Sequence, residues 1–489
     1  MSSAANLGLK DGSLFKTKGL INGEWVGAPS SFAVQNPANG KELGQVADMG
    51  VDDTKRAIDA ASNALPAWSK TTAKERHDIL MKFFKLMTEN SEDLGRLITL
   101  ENGKTLAEGK GENAYSASFL EWFAEEAVRA YGEVLPPMAA GTRGIVIKQP
   151  IGVVSILTPW NFPSAMITRK LGAALAAGCT VVIKPATETP FSALALADLA
   201  ERAGVPKGVI NVITTSKHLN DVAKEMCENP IVKKISFTGS TRVAKILAGY
   251  ASGTLKKMTI EAGGNAPFIV FDDADIDKAV EGAIASKFRA TGQTCVCANR
   301  FFIQSSIYAD FAAKLSAKVS SFVVGDGLDA KTSYGPLIHS NAVAKVDAHV
   351  QDAISKGATV LVGGKKLDSI GPNFYAPTVL SDVSSDSQNH SEETFGPLAT
   401  LTKFETEDEV VNLANNTEVG LAGYFYARDI GRIWRVAEKL EVGMVGVNTG
   451  AISAAYAPFG GIKETGFGKE GAHSIDEYMI TKSITFGGL

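Results

Sequence analysis

Cysteine is scarce in this chain, with four among 489 residues: Cys179, Cys227, Cys295 and Cys297. So few thiols exclude a disulfide framework and fit a reducing compartment, so any reactive thiol serves chemistry and not cross-linking. Histidine is scarce as well. The six histidines are scattered, no H-E-x-x-H pair and no G-x-S-x-G elbow occurs, and zinc-hydrolase and serine-hydrolase chemistries are disfavoured. No excess of charge is present either: the formal net charge is -4, with 21% charged and 45% hydrophobic residues, an ordinary globular balance that predicts no nucleic-acid partner. Long apolar runs free of helix breakers are missing. The longest uncharged stretch, between Lys148 and Arg169, contains Pro150, Pro159 and Pro163, so no membrane span is expected. The leading residues MSSAANLGLKDGSLFKTKG hold neither an apolar signal core nor an arginine, and a cytoplasmic location is the expectation.

What is present is a rhythm. The length predicts two or three structural units. From about residue 144, short β-branched runs alternate with longer amphipathic ones, separated by Gly, Pro and Thr. Strands are expected at 152–157, 179–184, 209–213 and 232–237, with helices at 164–177, 191–203 and 240–250 between them. Crossovers of that length predict a parallel, doubly wound α/β sheet. A second α/β series starts near 266 (PFIVF), runs through helix-like 274–289 and 308–322, and reaches strand-like 358–362, 422–427 and 443–447. The first 130 or so residues read as mostly helical, at 53–66, 73–89 and 113–131, and are expected to pack around the first sheet. The stretches 132–150 and 476–489 read as exposed strands, and exposed strands seek a partner.

Two motifs mislead. Gly466, Gly468 and Gly471 form the only full G-x-G-x-x-G, but no strand is expected before it and too little chain follows for a βαβ unit. Gly103-Lys104-Thr105 imitates the end of a phosphate-binding loop, yet Ile98 stands where that loop needs its first glycine.

Residues 292–300 (GQTCVCANR) set Cys295 in a glycine-containing turn. On its own the pair Cys295 and Cys297 is open to three readings: buried small hydrophobes, half of a metal site, or a redox pair. Cys179 and Cys227 are isolated and complete no second pair, so no metal site is expected. Other segments narrow the choice. TPWNFP at 158–163, FTGS at 237–240, EAGGNAPFIVF from Glu261, GQTCVC, EETFGP at 392–397 and PFGG at 458–461 stand in an order that closely resembles the aldehyde dehydrogenase superfamily over nearly the whole chain.

The resemblance implies a fold and a set of roles. It implies a cofactor-binding domain from 1–131 and 151–258, to which part of 455–475 returns, and a catalytic domain over 259–450. The strands 132–150 and 476–489 would form a small β oligomerisation arm, making a homodimer or homotetramer. Aldehyde oxidation by hydride transfer needs a covalent nucleophile, an oxyanion site and a base for hydrolysis. By resemblance these are Cys295, Asn161 and Glu261. Pro159, Trp160, Lys184, Thr187, Gly239, Ser240, Glu393 and Phe395 match cofactor contacts. Thr187 stands where NAD-preferring members carry a glutamate, whose loss admits a 2′-phosphate, so NADP is favoured and NAD is possible. Lys217 is a weaker candidate for that phosphate, and Ala244, Ala262 and Thr215 depart from the family pattern.

Within the superfamily, SAMITRK (164–170), SKFRATGQTCVCANR (286–300) and NAPFIVFDDADIDKAVEGA (265–283) are similar to members that oxidise succinate semialdehyde in 4-aminobutyrate degradation. A distal carboxylate calls for a forked guanidinium in the pocket. Arg169 and Arg289, with Ser453, match such contacts. Cys297 resembles a partner that forms a reversible disulfide with the nucleophile. The alternatives are a glutarate-semialdehyde or broader aldehyde dehydrogenase and, in another class, a cofactor-independent thiol hydrolase or CxC redox protein.

Overall fold

The structure is a computed structural model that describes residues 7–488; the parts of the expected units that fall on residues 1–6 and 489 lie outside the described residues. Two large sheets carry the chain. The first has eight strands, in the order 24–26, 19–21, 210–212, 180–184, 153–157, 232–238, 257–261 and 466–467. The five from 210–212 to 257–261 run parallel, and the outer ones are antiparallel. Chain order reverses between Val153–Leu157 and Val232–Thr238. In an open α/β sheet the crevice beyond the strand ends at such a switch point is where ligands bind.

Helices cover both faces. On one side lie α1 (Val51–Trp68) and, later in the chain, 219–228 and 241–252. On the other lie α2 (Ala73–Glu89), α3 (Ser91–Asn102), α4 (Leu106–Ala127), α5 (Ala165–Ala177) and α6 (Pro190–Ala203). Helix α5 is buried along its whole length and ends at left-handed Gly178. Apolar residues all round it suit that position, each buried Leu or Ile contributing roughly 2 kcal/mol. Its two cations, Arg169 and Lys170, are buried too and must find partners.

The second sheet has seven strands, in the order 359–362, 378–381, 398–404, 298–304, 266–270, 422–426 and 444–447, parallel but for the first. A third pairs 143–150 with 479–486 over eight antiparallel positions, with 133–135 on the other edge. Among the described residues no helix is long and apolar enough to cross a membrane.

Four expectations about elements need correction. The first 130 residues are not simply helical: four strands lie between 19 and 47, two of which extend the first sheet. The helix expected at 113–131 runs 106–127, because Thr105 and Glu108 cap it reciprocally, and a separate α3 precedes it. Buried Glu112 and Glu126 blur the apolar stripe of α4 and hid its start. The helix expected at 274–289 ends at Ala283, continues as a wide turn over Ile284–Phe288, and breaks at Ala290 and Thr291, which have φ of 48° and 57°. Finally, Gly466–Phe467 of the misleading glycine motif is itself a short edge strand on Lys257–Glu261.

Candidate active site

The loop after Val153–Leu157 reaches the switch-point crevice carrying Pro159, Trp160 and Asn161. Two backbone carbonyls of this loop are held from below, that of Trp160 by Asn102 Nδ2 at 2.9 Å and that of Asn161 by Lys104 Nζ at 2.6 Å. The Asn161 amide donates to the Gln293 carbonyl at 3.0 Å, while its Oδ1 is buried without a hydrogen-bond partner. Asn161 thereby meets the loop that carries Cys295.

That loop is strained and closely packed. Ala290 and Thr291 occupy left-handed backbone, a cost of about 1–2 kcal/mol each, ahead of Gly292. The Ala290 N–H is held by Glu108 Oε1 at 2.8 Å, and Gln293 Oε1 accepts the Ile338 N–H at 3.0 Å. Cys295 follows, 9% exposed, just before the strand Ala298–Gln304. A Cβ on Gly264 would lie 2.5 Å from the Cys295 carbonyl, so only glycine lets the segment after Glu261 pass so close.

Glu261 ends the strand Lys257–Glu261 and is 1% exposed, with neither carboxyl oxygen hydrogen-bonded. Burial, reinforced by the Glu470 charge and opposed by Arg169 and Lys170, pushes its pKa up to about 7. The Cys295 thiol lies in its field. Burial, Glu261 and Glu393 together push that thiol well above the ordinary cysteine range. A thiol so placed needs a base to take its proton before it can attack as the thiolate.

At the crevice, Ser240 caps the helix Thr241–Ser252 through its Oγ, and with Thr241, Gly263 and Glu393 it lines a cleft of about 600 Å³. The Gly239 N–H bonds the Glu261 carbonyl at 3.1 Å, tying this turn to the carboxyl. Burial raises Glu393 to about 8, and Lys345 grips its backbone carbonyl. The Phe395 ring meets Trp160 edge-on, 5.6 Å between centroids, from a backbone with φ of 54°. On the other side of the switch point, Lys184 donates to the Pro185 carbonyl, and burial lowers its pKa to about 8. Thr187 Oγ1 donates to the Thr215 carbonyl at 3.0 Å. Asp48 accepts the Ser216 and Lys217 N–H groups, which fixes the loop beside Thr187.

Arg289 and Ser453 line one narrow cavity of about 20 Å³ together with Thr294, Val296 and Cys297. Arg289 is exposed, stacks at 5.0 Å over Phe162, and forms no ion pair among the described residues. Ser453 Oγ hydrogen-bonds the Tyr115 hydroxyl. Cys297 Sγ lies 3.6 Å from the Lys287 carbonyl. Arg169 is placed differently. It is 1% exposed, with Nε 3.0 Å from Glu470, and its guanidinium stacks 3.9 Å from the Phe459 ring. It does not line the cavity shared by Arg289 and Ser453, although its Nη2 has no hydrogen-bond partner.

Sequence reasoning missed several of these residues. Lys170 is fully buried, bonds Glu470 and donates to Thr238 Oγ1 at 2.6 Å. Glu470 thus pairs with both cations of α5, one charge against two, and it belongs to the GFGKEG segment, whose glycines drew attention for the wrong chemistry. Lys104 and Tyr115 were missed too. A lysine directly after Asn-Gly at a helix end was the one available signal for the first, and nothing in the pattern marked the second.

Two doubly wound sheets, a nucleotide-type switch point on the first and a buried thiol beside a buried carboxyl at their seam define the class, an α/β enzyme of the dinucleotide-binding kind. The family follows. The model of the Aldehyde dehydrogenase family matches residues 25–484, and the chain belongs to that family. It is 57% identical to the succinate-semialdehyde dehydrogenase [NADP(+)] GabD of Escherichia coli (strain K12), over 98% of this chain and 99% of that protein. It is 55% identical to a glutarate-semialdehyde dehydrogenase of Pseudomonas aeruginosa, over 98% of this chain and 100% of the relative. The crystal structure of succinate-semialdehyde dehydrogenase from Burkholderia pseudomallei superposes with a TM-score of 0.97 at 54% identity, covering 98% of this chain and all of that one.

Proposed function

We propose that the protein oxidises succinate semialdehyde to succinate with NADP, NAD being a second acceptor, through a thiohemiacetal and a thioester on Cys295. The observation that carries this reading is the Glu261 carboxyl, buried against the Cys295 thiol with its pKa raised to about 7. A carboxyl poised there exists in both protonation states near neutrality, as a general base requires.

Glu261 takes the thiol proton, and the sulfur adds to the aldehyde carbon as the C=O electron pair moves onto oxygen. The second N–H of the Asn161 amide, the one not given to Gln293, stabilises that oxyanion together with the Cys295 backbone N–H. Such a donor contributes roughly 3 kcal/mol to lowering the barrier. The nicotinamide supplies the hydride acceptor. Glu261 releases the thiol's proton to solvent, then removes a proton from water as the water attacks the thioester; the C–S bond breaks, the carboxylic acid leaves, and Glu261 returns that proton to the sulfur. Lys170 and Glu470 hold charge around Glu261 through both half-reactions.

The residues present fit a dinucleotide. The helix opened by Ser240 presents its amino terminus to the switch-point crevice, where phosphate oxygens are favoured. Pro159, Trp160 and Phe395 would bound the nicotinamide, Glu393 its ribose, and Lys184 the adenosine ribose. Thr187 puts a hydroxyl where a carboxylate would repel a 2′-phosphate. The name of the Escherichia coli relative supports NADP.

Arg289 and Ser453 take the distal carboxylate, Arg169 adding positive potential from beneath. Glutarate semialdehyde is the second reading, favoured by the Pseudomonas relative, because one methylene changes binding by only about 1–3 kcal/mol. An initial-rate panel of succinate semialdehyde, glutarate semialdehyde and acetaldehyde, each with NADP and NAD, tests the assignment. Succinate semialdehyde with NADP is expected to give the highest kcat/KM. Equal efficiency with acetaldehyde would overturn the carboxylate assignment, and no reduced cofactor with any aldehyde would favour a thiol hydrolase.

Oxidation of the Cys295 and Cys297 thiols to a disulfide by peroxide, which is reduced to water, provides a reversible off state. The arm of 143–150 and 479–486, with Val134, Ile480 and Phe486 exposed, serves assembly with further copies of the chain. Work in 4-aminobutyrate breakdown in the cytoplasm completes the proposal.

A further inference from the structure

We propose that the α3–α4 corner, residues 102–112, is a positioning clamp that sets the oxyanion donor against the nucleophile loop, with Lys104 as its centre. The corner includes the Gly103-Lys104-Thr105 run that imitates a phosphate loop. In place of a phosphate, it holds protein backbone.

Lys104 is 4% exposed, and its ammonium makes two hydrogen bonds and one ring contact. One goes to Glu112, one to the Asn161 carbonyl at 2.6 Å, and the third direction is closed by the Phe162 ring, 3.5 Å from the nitrogen to the centroid. Gly103, left-handed at φ +90°, ends α3 and turns the chain so that Asn102 and Lys104 hold the consecutive carbonyls of Trp160 and Asn161. A Cβ there would lie 2.7 Å from Pro336, so the turn is closed to other residues. Glu112 extends the hold. Its Oε1 accepts the Ser164 N–H at 2.9 Å at the start of α5, while its other oxygen pairs with Lys104.

The same corner grips the opposing loop. Glu108 gives one oxygen to the cap of α4 and the other to the Ala290 N–H at 2.8 Å, beside Arg289 and inside the strained turn before Cys295. An ion pair with both partners almost wholly buried contributes little net stability against a well-packed apolar replacement, so its use here lies in fixing geometry. Oxyanion stabilisation depends on donors held to within tenths of an ångström. Lys104, Glu112 and Glu108 are therefore positioning residues, and the inference rests on the roles given above to Asn161 and Arg289.

The two ends of the clamp predict different kinetic signatures. In Lys104→Met/Glu112→Gln, which keeps side-chain volume and strands no charge, single-turnover NADPH formation with enzyme in excess should slow at least tenfold for succinate semialdehyde and acetaldehyde alike. Alkylation of Cys295 by iodoacetamide should stay within about twofold. In Glu108→Ala the split reverses: KM for succinate semialdehyde rises at least fivefold, and that for acetaldehyde is unchanged. Asn161→Ala locates any failure. If it slows the single turnover while the Lys104 and Glu112 substitutions leave it within twofold of the parent, the clamp is refuted. If Asn161→Ala itself has no effect, the oxyanion assignment falls and the clamp's purpose with it. Should the double variant not fold, Asn102→Ala carries the same test: a slowing of threefold or more supports the clamp, and an unchanged rate overturns it.

Discussion

Replacing Arg289 by alanine separates substrate recognition from chemistry, because its guanidinium touches no part of the thiol, carboxyl or amide constellation. It is exposed, stacks on Phe162 and forms no ion pair among the described residues, so its removal strands no buried charge and should leave thermal stability unchanged. On the proposed role of Arg289, the lost quantity is the charge-assisted bond to the distal carboxylate. Such bonds contribute about 1.5–3 kcal/mol, a factor of roughly 10–150. The kcat/KM for succinate semialdehyde should therefore fall by roughly that factor, mostly through KM, while acetaldehyde, with no distal charge, stays within about twofold. Arg289→Lys keeps the charge and loses the fork, and should fall between. Initial rates of NADPH absorbance with the two aldehydes read both arms. Equal losses for both would refute the assignment. Arg169→Ala provides the contrast: it removes a buried partner of Glu470 and a charge felt by Glu261, so both aldehydes should suffer.

The carboxyl of Glu261 should leave its mark on pH dependence. With its pKa raised to about 7, the basic form is populated above that value, so thioester hydrolysis should fall as pH drops below about 7, and Glu261→Gln should slow it about 10²- to 10⁴-fold and flatten that limb; an unchanged limb in the variant would assign it elsewhere. Thr187→Glu should weaken NADP roughly tenfold or more and spare NAD, measured by fluorescence titration of each reduced cofactor, since like charges opposed across a site cost several kcal/mol. Peroxide-inactivated enzyme should recover with dithiothreitol, and Cys297→Ala should lose that reversibility; equal recovery in the variant would remove Cys297 from the switch.

How far the site was legible before the structure depends on what each residue needs. Asn161, Glu261 and Cys295, the proposed catalytic set, stood out because each sits in a short run with its own character: TPWNFP, EAGGNAPFIVF and GQTCVC. Their strands were readable too, since apolar runs such as VVSIL bounded by Gly and Pro declare buried parallel strands. The four strands before residue 50 were not. They are three to six residues long, and only tertiary pairing distinguishes them from loop.

The partners of the site residues were least legible, and the reason is physical. Glu470 meets Arg169 and Lys170 across 300 positions of chain, and Lys104 meets Asn161 across 57. A buried cation on an apolar helix states that a counter-charge exists without stating where. In this fold both counter-charges come from segments that look like phosphate-binding motifs: Glu470 from GFGKEG, and Glu112 beside the Gly103-Lys104-Thr105 turn. Glycine turns recur in both because a chain that passes close to another backbone needs them, whether the neighbour is a phosphate or a carbonyl. The glycines marked close approach correctly: Gly466 and Gly468 pass Ile260 and Thr259 on the strand that ends in Glu261, and Gly103 passes Pro336. A glycine motif without its strand and helix is thus evidence of tight packing, and the charged residue next to it is the one to follow.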